Sequence, residues 1–70
     1  MPLVSRRLRQ YRERAVLTQD QLATLAGLSR HTVQQLESGI RPAYPTTIQK
    51  LAKALKVKPT DLVDAGDHRP

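Results

Sequence analysis

One short polar segment contains side chains whose hydrogen-bonding groups match the edges of nucleic-acid bases. Arg30 carries a fork of N–H donors that matches O6 and N7 of guanine, and the amide of Gln35 matches N6 and N7 of adenine. His31 can donate to a base acceptor or a phosphate, or can be an exposed histidine without a contact. Gln34 can contact a base, or it can lie beside the groove of a nucleic-acid duplex and contact only a phosphate or nothing. These four are the candidate base-reading residues.

The chain as a whole is basic, with twelve Lys and Arg residues against six Asp and Glu and a formal net charge of +6. Such an excess favours a polyanionic partner, nucleic acid ahead of an acidic membrane surface. Five arginines crowd the predicted first helix, where a solvated face and phosphate binding are equally good interpretations: Arg6, Arg7, Arg9, Arg12 and Arg14.

A chain of 70 residues allows one small domain with one core. It has no Cys and two widely separated His, so we expect neither a disulfide nor a metal site, and no cofactor. No apolar run approaches the ~18 residues of a membrane span. In the first segment, MPLVSRRLRQ, the apolar residues precede the charges, which is the reverse of a signal peptide. We therefore expect a cytoplasmic protein with no membrane partner.

The elements that must position these side chains are helices, because apolar residues recur at helical spacing and no alternating strand pattern occurs. We expect the first helix to begin near Ser5, with Ser5 as its N-cap. Its apolar stripe is Val4, Leu8, Tyr11 and Ala15.

A second, short helix is predicted after Thr18, because Thr18 and Gln21 have the spacing of a capping box. Gly27 ends this helix, since glycine accepts a left-handed backbone at little cost. The apolar face of the helix carries Leu22, Leu25 and Ala26.

A third helix is predicted over about residues 29–38, capped by Ser29 and ended by Gly39. Placing Val33 and Leu36 inward turns the opposite face outward, and that face carries His31, Gln34, Gln35 and Ser38. Two helices joined by a tight turn at Gly27 form a helix-turn-helix over about residues 18–38.

Two further helices complete the predicted fold. Residues 40–44 form a loop, and Pro45 suits the first turn of a fourth helix with the stripe Ile48, Leu51, Ala52 and Leu55. Pro59 opens a short fifth helix that carries Leu62 and Val63. The prediction is an all-α, compact five-helix bundle over residues 1–63, followed by a flexible tail at residues 64–70.

The stretches LTQDQLATLAGLSRHTVQQLESG and IQKLAKALKVKPTDL resemble the lambda-repressor-like (Cro-type, or XRE) helix-turn-helix family. The resemblance implies sequence-specific binding of double-stranded DNA, with the third helix inserted into the major groove. It also implies a transcriptional regulator, most simply a repressor, of a prokaryote or a phage. The motifs are specific for the fold and for DNA binding, but for no particular operator.

The same resemblance implies roles for individual residues. Ser29, Arg30, His31 and Gln35 match the start and the exposed face of the recognition helix, and Gln19 matches a residue that grips phosphate. Arg12 and Glu37 match a pair that forms an ion bridge beside the DNA in some relatives. The candidate phosphate-binding residues are Gln19, Ser29, Arg12, Arg41 and Arg9.

Three positions depart from the pattern of the family. Val16 replaces the usual glycine at the end of the first helix, so we expect that helix to end with a different backbone geometry. Pro45 replaces an apolar residue such as leucine, which we expect to thin the core near the fourth helix. Ile40 replaces a polar residue and reduces phosphate contact in that loop.

The expected partner is a near-palindromic operator with half-sites about 34 Å apart, bound by a homodimer. The dimer surface is expected around Leu62 and Val63 or, equally, in a separate oligomerisation domain if this chain is a fragment of a longer protein. The alternative is an antitoxin-like module that docks mainly on a protein. Catalysis is not expected, because the only imaginable metal ligands lie at the end of the chain without a framework to hold them: Asp61, Asp64, Asp67 and His68. Membrane-surface binding by the arginine-rich helix is a weaker option still.

Overall fold

Five α-helices joined by short connections make up the computed structural model, which describes residues 4–63. Within that range there is no strand, so the predicted all-α fold with five helices is confirmed. The predicted tail at residues 64–70 lies outside the described residues. The helices, in chain order, are α1 (Ser5–Arg14), α2 (Gln19–Ala26), α3 (Arg30–Ser38), α4 (Pro45–Leu55) and α5 (Pro59–Leu62).

The predicted helix ends are present in the backbone of α2 and α3. The Gln21 N–H donates to the Thr18 hydroxyl at 3.0 Å, and the Thr18 N–H donates to Gln21 Oε1 at 2.9 Å, which completes the capping box. Gly27 has φ 71° and Gly39 has φ 79°, left-handed values that glycine adopts without the clash of a Cβ. The Ser29 hydroxyl accepts the Thr32 N–H at 3.1 Å and so caps α3 as predicted.

The core is built from apolar side chains on the inner faces of all five helices. α2 packs against both α3 and α4, while α1 packs against α3 and α5. Burying each large aliphatic side chain contributes about 1.5–3 kcal/mol, which is how a small chain without disulfides can hold its helices together. The fully buried large side chains are Val4, Leu8, Leu22, Val33, Leu36, Leu51 and Leu62.

Three details of the predicted first and second helices are wrong. Val4, not Ser5, occupies the cap position of α1, and it makes no side-chain cap bond. Ala15 is exposed, because the helix has already ended at Arg14 and the stripe cannot continue beyond it. Leu25 is 61% exposed.

The exposure of Leu25 follows from the direction in which α2 packs. The buried residues of α2 are Leu22, Ala23 and Ala26. On a wheel of about 100° per residue, Leu25 lies about 110° from the middle of that buried arc. Ala23 lies at the end of the buried arc farthest from Leu25 and is 2% exposed, so the core lies on that side of α2.

Val16 occupies the turn between α1 and α2 in a conformation that is unusual for its type. Its φ is 57°, in the left-handed region that a glycine enters freely, so the valine here takes a conformation that favours glycine. The Leu17 N–H donates to the Arg12 carbonyl at 3.2 Å and closes the turn. The Val16 side chain is 87% exposed and has little packing to offset the strain of about 1–2 kcal/mol.

The loop before α4 differs in detail from the expectation. Pro45 starts α4 as predicted, but it is exposed and lies outside the core. Ala43, which the sequence did not single out, is buried beside Ile48 in the core cluster. Ile40 is 72% exposed, and its apolar side chain offers no donor to a phosphate. None of the described helices is long and apolar enough to cross a membrane.

Candidate nucleic-acid interface

α3 presents its polar first turn to solvent and its apolar face to the core. Val33 and Leu36 are buried, whereas Arg30, His31 and Gln34 are exposed. The reversal at Gly27 and the Ser29 cap set the start of the helix, so the two exposed residues that begin α3 stand on a rigid element. These are three of the four predicted base-reading residues, and they share one accessible surface.

Gln35, the fourth predicted base-reading residue, is half-buried and has a partner within the chain. Arg41 donates from Nη1 to Gln35 Oε1 at 3.2 Å. The left-handed Gly39 turns the chain back, and the Ile40 N–H donates to the Gln35 carbonyl at 3.2 Å. This turn brings Arg41 beside α3, an arrangement that the sequence did not predict because it depends on the path of the loop.

The predicted ion pair between Arg12 and Glu37 is present and joins α1 to α3. Arg12 Nε lies 2.6 Å from Glu37 Oε2, and Arg12 Nη2 donates to Oε1 at 3.0 Å, a two-pronged arrangement. The Arg12 side chain is 13% exposed and that of Glu37 is 4% exposed. The two side chains of the pair are therefore mostly shielded from water.

Two more contacts extend this pair into a network. Gln19 donates from Nε2 to Glu37 Oε1 at 3.1 Å, and Arg12 Nη1 donates to the Leu17 carbonyl at 2.8 Å. Three helices thus meet at one carboxylate. We refer to Arg12, Gln19 and Glu37 as the Glu37 network.

The Glu37 network also changes the pKa of Arg12. The hydrogen bond from Arg12 to Glu37 raises the pKa of the guanidinium above its ordinary value, burial opposes the rise, and the nearby carboxylates of Glu37 and Glu13 add to it. A raised pKa in the folded state stabilises the fold fully at any pH below the ordinary value of arginine, and this stabilisation is lost only in strong alkali. The charge of Arg12 is therefore constant throughout the neutral range.

A shallow depression beside α3 brings together residues from three helices. Gln19 stands at the first position of α2, where free backbone N–H groups and the helix dipole favour an anion. Arg9 reaches the depression from α1 and also lies 3.5 Å from Glu13 in an exposed pair. The lining residues are Arg9, Arg12, Gln19, Gln34, Glu37 and Ser38.

The predicted phosphate-binding residues thus differ in how many hydrogen-bonding groups remain for a ligand. Ser29 is committed to the α3 cap, since its hydroxyl also lies 2.8 Å from that of Thr32. Arg12 uses three of its N–H groups within the chain. Arg9 is well exposed, and the remaining N–H groups of Arg41 are accessible on an exposed side chain.

The acidic residues considered as metal ligands do not form a site within residues 4–63. No group of three or more His, Asp or Glu side chains comes together in this range. Asp61 accepts the Lys58 N–H at 3.1 Å at the start of α5. Asp64, Asp67 and His68 lie outside the described residues.

Comparison with known sequences gives matches over nearly the whole chain. A family model described as a helix-turn-helix domain matches residues 3–65. RghRB of Bacillus subtilis, an HTH-type transcriptional regulator, is 42% identical over 62 residues, which are 87% of this chain and 45% of that protein. The chain spans less than half the length of the curated relatives it matches.

Two solved structures share the arrangement of the helices. The restriction-modification controller protein C.AhdI of Aeromonas hydrophila superposes with a TM-score of 0.82 at 42% identity, covering 86% of this chain and 94% of that one. The P22 c2 repressor protein, solved in complex with a synthetic operator, superposes with a TM-score of 0.81 at 25% identity, covering 91% and 97%.

Proposed function

Because the chain belongs to the lambda-repressor-like (XRE) family of helix-turn-helix domains, we propose that it binds double-stranded DNA sequence-specifically. The recognition element is α3, inserted into the major groove. The observation that carries this proposal is the two-sided character of α3: Val33 and Leu36 are buried, while Arg30, His31 and Gln34 are exposed. A helix about 10–12 Å across fits a groove about 12 Å wide.

The base-reading residues in this proposal are Arg30, His31, Gln34 and Gln35. Arg30 can donate two hydrogen bonds to guanine, and its place in the first turn of α3 suits contact with base edges. His31 is exposed next to it, so it can donate to a base or a phosphate.

Phosphates are bound in this proposal by residues on both sides of α3. Gln19, with the free N–H groups at the start of α2, grips one phosphate, and Arg9 adds a positive charge to the same depression. Arg41 contacts the backbone from the loop after α3. Arg12 and Ser29 contribute less directly, because most of their hydrogen-bonding groups already have partners in the chain.

We propose further that the domain acts in the bacterial cytoplasm as a repressor that binds a near-palindromic operator as a homodimer. An apolar groove between α4 and α5, lined by Pro45, Ile48, Pro59 and Val63 among others, offers a surface for a second copy. A second copy doubles the number of phosphate and base contacts available to such a small domain. Leu62 is fully buried in the fold, so of the two residues expected at the dimer surface only Val63 can take part.

The alternative function, an antitoxin-like module that docks mainly on a protein, is favoured by one observation. Leu25 is 61% exposed and lines a depression on the outer face of α2, together with Leu17 and Thr24. Purification of the native complex separates the two proposals, because a stoichiometric second protein is expected for the docking module.

Selection of bound sequences from a random duplex pool tests the main proposal. We expect a defined motif, bound about a thousandfold or more tighter than random duplex at physiological salt. A single strand that carries one half-site of the motif serves as the control, since it cannot pair with itself and lacks the major groove that α3 reads. Equal affinity for the selected and the random duplex would refute sequence-specific binding.

A further inference from the structure

We infer that Arg41 determines specificity by positioning Gln35, so that Gln35 acts as a hydrogen-bond donor and selects guanine over adenine. The inference rests on the proposed function, because it concerns the face that α3 would present to DNA. In addition to its proposed phosphate contact, Arg41 would thus orient the amide of Gln35. The inference is based on the 3.2 Å hydrogen bond from Arg41 Nη1 to Gln35 Oε1.

The backbone after α3 is built so that these two side chains meet. Gly39 takes a φ of 79°, and its N–H donates to the Leu36 carbonyl at 3.3 Å. The Ile40 N–H donates to the Gln35 carbonyl at 3.2 Å, which returns the chain toward the last turn of α3. Arg41 is the next residue, so its guanidinium lies beside Gln35 because of this turn.

The hydrogen bond from Arg41 fixes which end of the Gln35 amide faces Arg41. A glutamine amide has a carbonyl oxygen that accepts and an NH₂ group that donates, and the two ends can exchange by a flip. A guanidinium has only donors, so beside Arg41 the oxygen end is attracted and the NH₂ end is repelled. Arg41 therefore holds the oxygen toward itself and leaves the NH₂ group of Gln35 for a ligand.

This orientation changes which base the pair of residues recognises. A free glutamine pairs with adenine by using both ends of its amide, the oxygen on N6 and the nitrogen on N7. With the oxygen turned toward Arg41, the group that Gln35 offers to a base is its NH₂, which has two N–H donors. Guanine presents two acceptors in the major groove, N7 and O6, and matches a surface made only of donors.

The test compares four duplexes that differ only at the base pair read by Gln35, which is the pair whose discrimination is lost in the Gln35→Ala variant. The unaltered protein is expected to prefer guanine over adenine by about fivefold or more. Arg41→Met should weaken binding to all four duplexes, because a positive charge is lost. In addition, the affinity for the adenine duplex should become equal to or higher than that for the guanine duplex.

Two further variants make the result specific to the Arg41–Gln35 contact. Lys50→Met removes an exposed positive charge on α4 and should leave the order of the four bases unchanged. When Gln35 is already alanine, Arg41→Met should weaken all four duplexes by one common factor. Both Arg41 and Lys50 are exposed, so circular dichroism should show unchanged folding.

The inference is overturned if Arg41→Met reduces all four affinities equally in the presence of Gln35, since Arg41 would then serve only as a phosphate contact. It is also overturned if Gln35→Ala changes discrimination at no base pair. If the unaltered protein binds the selected site no more tightly than random duplex, the proposed function fails and the inference fails with it. If it binds the selected site specifically but Arg41→Met keeps the original base preference, only the inference fails.

Discussion

Removal of the Glu37 carboxylate should destabilise the fold far more than removal of an exposed charge. Glu37 is 4% exposed and accepts three hydrogen bonds, two from Arg12 and one from Gln19. In Glu37→Ala the Arg12 side chain, only 13% exposed, keeps the hydrogen bond from its guanidinium to the Leu17 carbonyl but loses the carboxylate of Glu37. A positive charge is then left partly desolvated and without its main counter-charge.

The size of the loss follows from this burial. Breaking a buried ion pair by removing one partner costs about 3–5 kcal/mol. Because Arg12 retains one hydrogen bond and is slightly exposed, we expect Glu37→Ala to lower the free energy of unfolding by about 3 kcal/mol, the lower end of this range. A chain of 70 residues has a total stability of about 4–10 kcal/mol, so this single loss removes a large part of it.

The assay is urea unfolding, followed by circular dichroism, of a double-mutant cycle with Arg12→Ala, Glu37→Ala and the combined variant. The combined variant leaves neither charge unpaired, so it should be less destabilised than the sum of the two single variants by about 2 kcal/mol or more. If Glu37→Ala does not fold in water, Glu37→Gln replaces it, because the amide keeps the shape and one acceptor.

The chain contains its own control for this cycle. Arg9 and Glu13 lie 3.5 Å apart, with side chains 65% and 60% exposed, and combine the same two residue types. Their coupling free energy is expected to be about 0.5 kcal/mol or less, because water screens both charges. A coupling free energy between Arg12 and Glu37 no larger than that of the control pair would show that shielding from water does not strengthen this ion pair.

Three further variants test base reading by Arg30, the phosphate contact of Gln19 and the backbone strain at Val16. Arg30→Ala should weaken the selected site by about 1–3 kcal/mol and relax preference at one base pair, whereas an equal loss on random duplex would contradict base reading. Gln19→Ala should weaken all sequences alike and leave the salt dependence unchanged, since a neutral side chain displaces no counterion; a smaller salt slope in a titration would contradict this. Val16→Gly should raise the free energy of unfolding by about 0.5–1 kcal/mol, because relief of the left-handed strain exceeds the added entropy of the unfolded glycine, and a lower melting temperature would contradict it.

The features that the sequence predicted well depend on neighbours along the chain. The capping box of Thr18 and Gln21 and the left-handed turns at Gly27 and Gly39 are decided within a few residues. Pro45 at the start of α4 is another such signal. Because these ends determine where each helix begins and stops, the order of the five helices could be predicted from the sequence.

Burial was harder to predict, because it depends on which helix packs on which side. Leu25 has the spacing of an inner residue, yet the face of α2 that is buried carries Leu22, Ala23 and Ala26 and leaves Leu25 exposed. Ala43 lies in a loop, where no periodicity indicates that it belongs to the core. The strain at Val16 was not predicted either, because the chain folds into the left-handed turn even without a glycine.

In the candidate site, too, some features could be expected from the sequence and others depend on how the helices pack. The pairing of Arg12 with Glu37 was expected from the family resemblance, but its burial and the contribution of Gln19 arise only when three helices meet. The hydrogen bond from Arg41 to Gln35 joins a loop to a helix, so it depends on the three-dimensional path of the loop. No spacing rule in the sequence would have indicated it.

The insertion of α3 into the major groove can be tested by atomic substitution in the selected DNA site. Each purine is replaced in turn by its 7-deaza analogue, which removes the N7 acceptor from the major groove and leaves the minor groove unchanged. We predict that affinity falls about fivefold or more at the guanine bound by Arg30, and that replacing the same guanine by inosine, which lacks only the minor-groove amino group, has little effect. Full affinity for every 7-deaza duplex, with losses only for inosine, would contradict major-groove reading by α3.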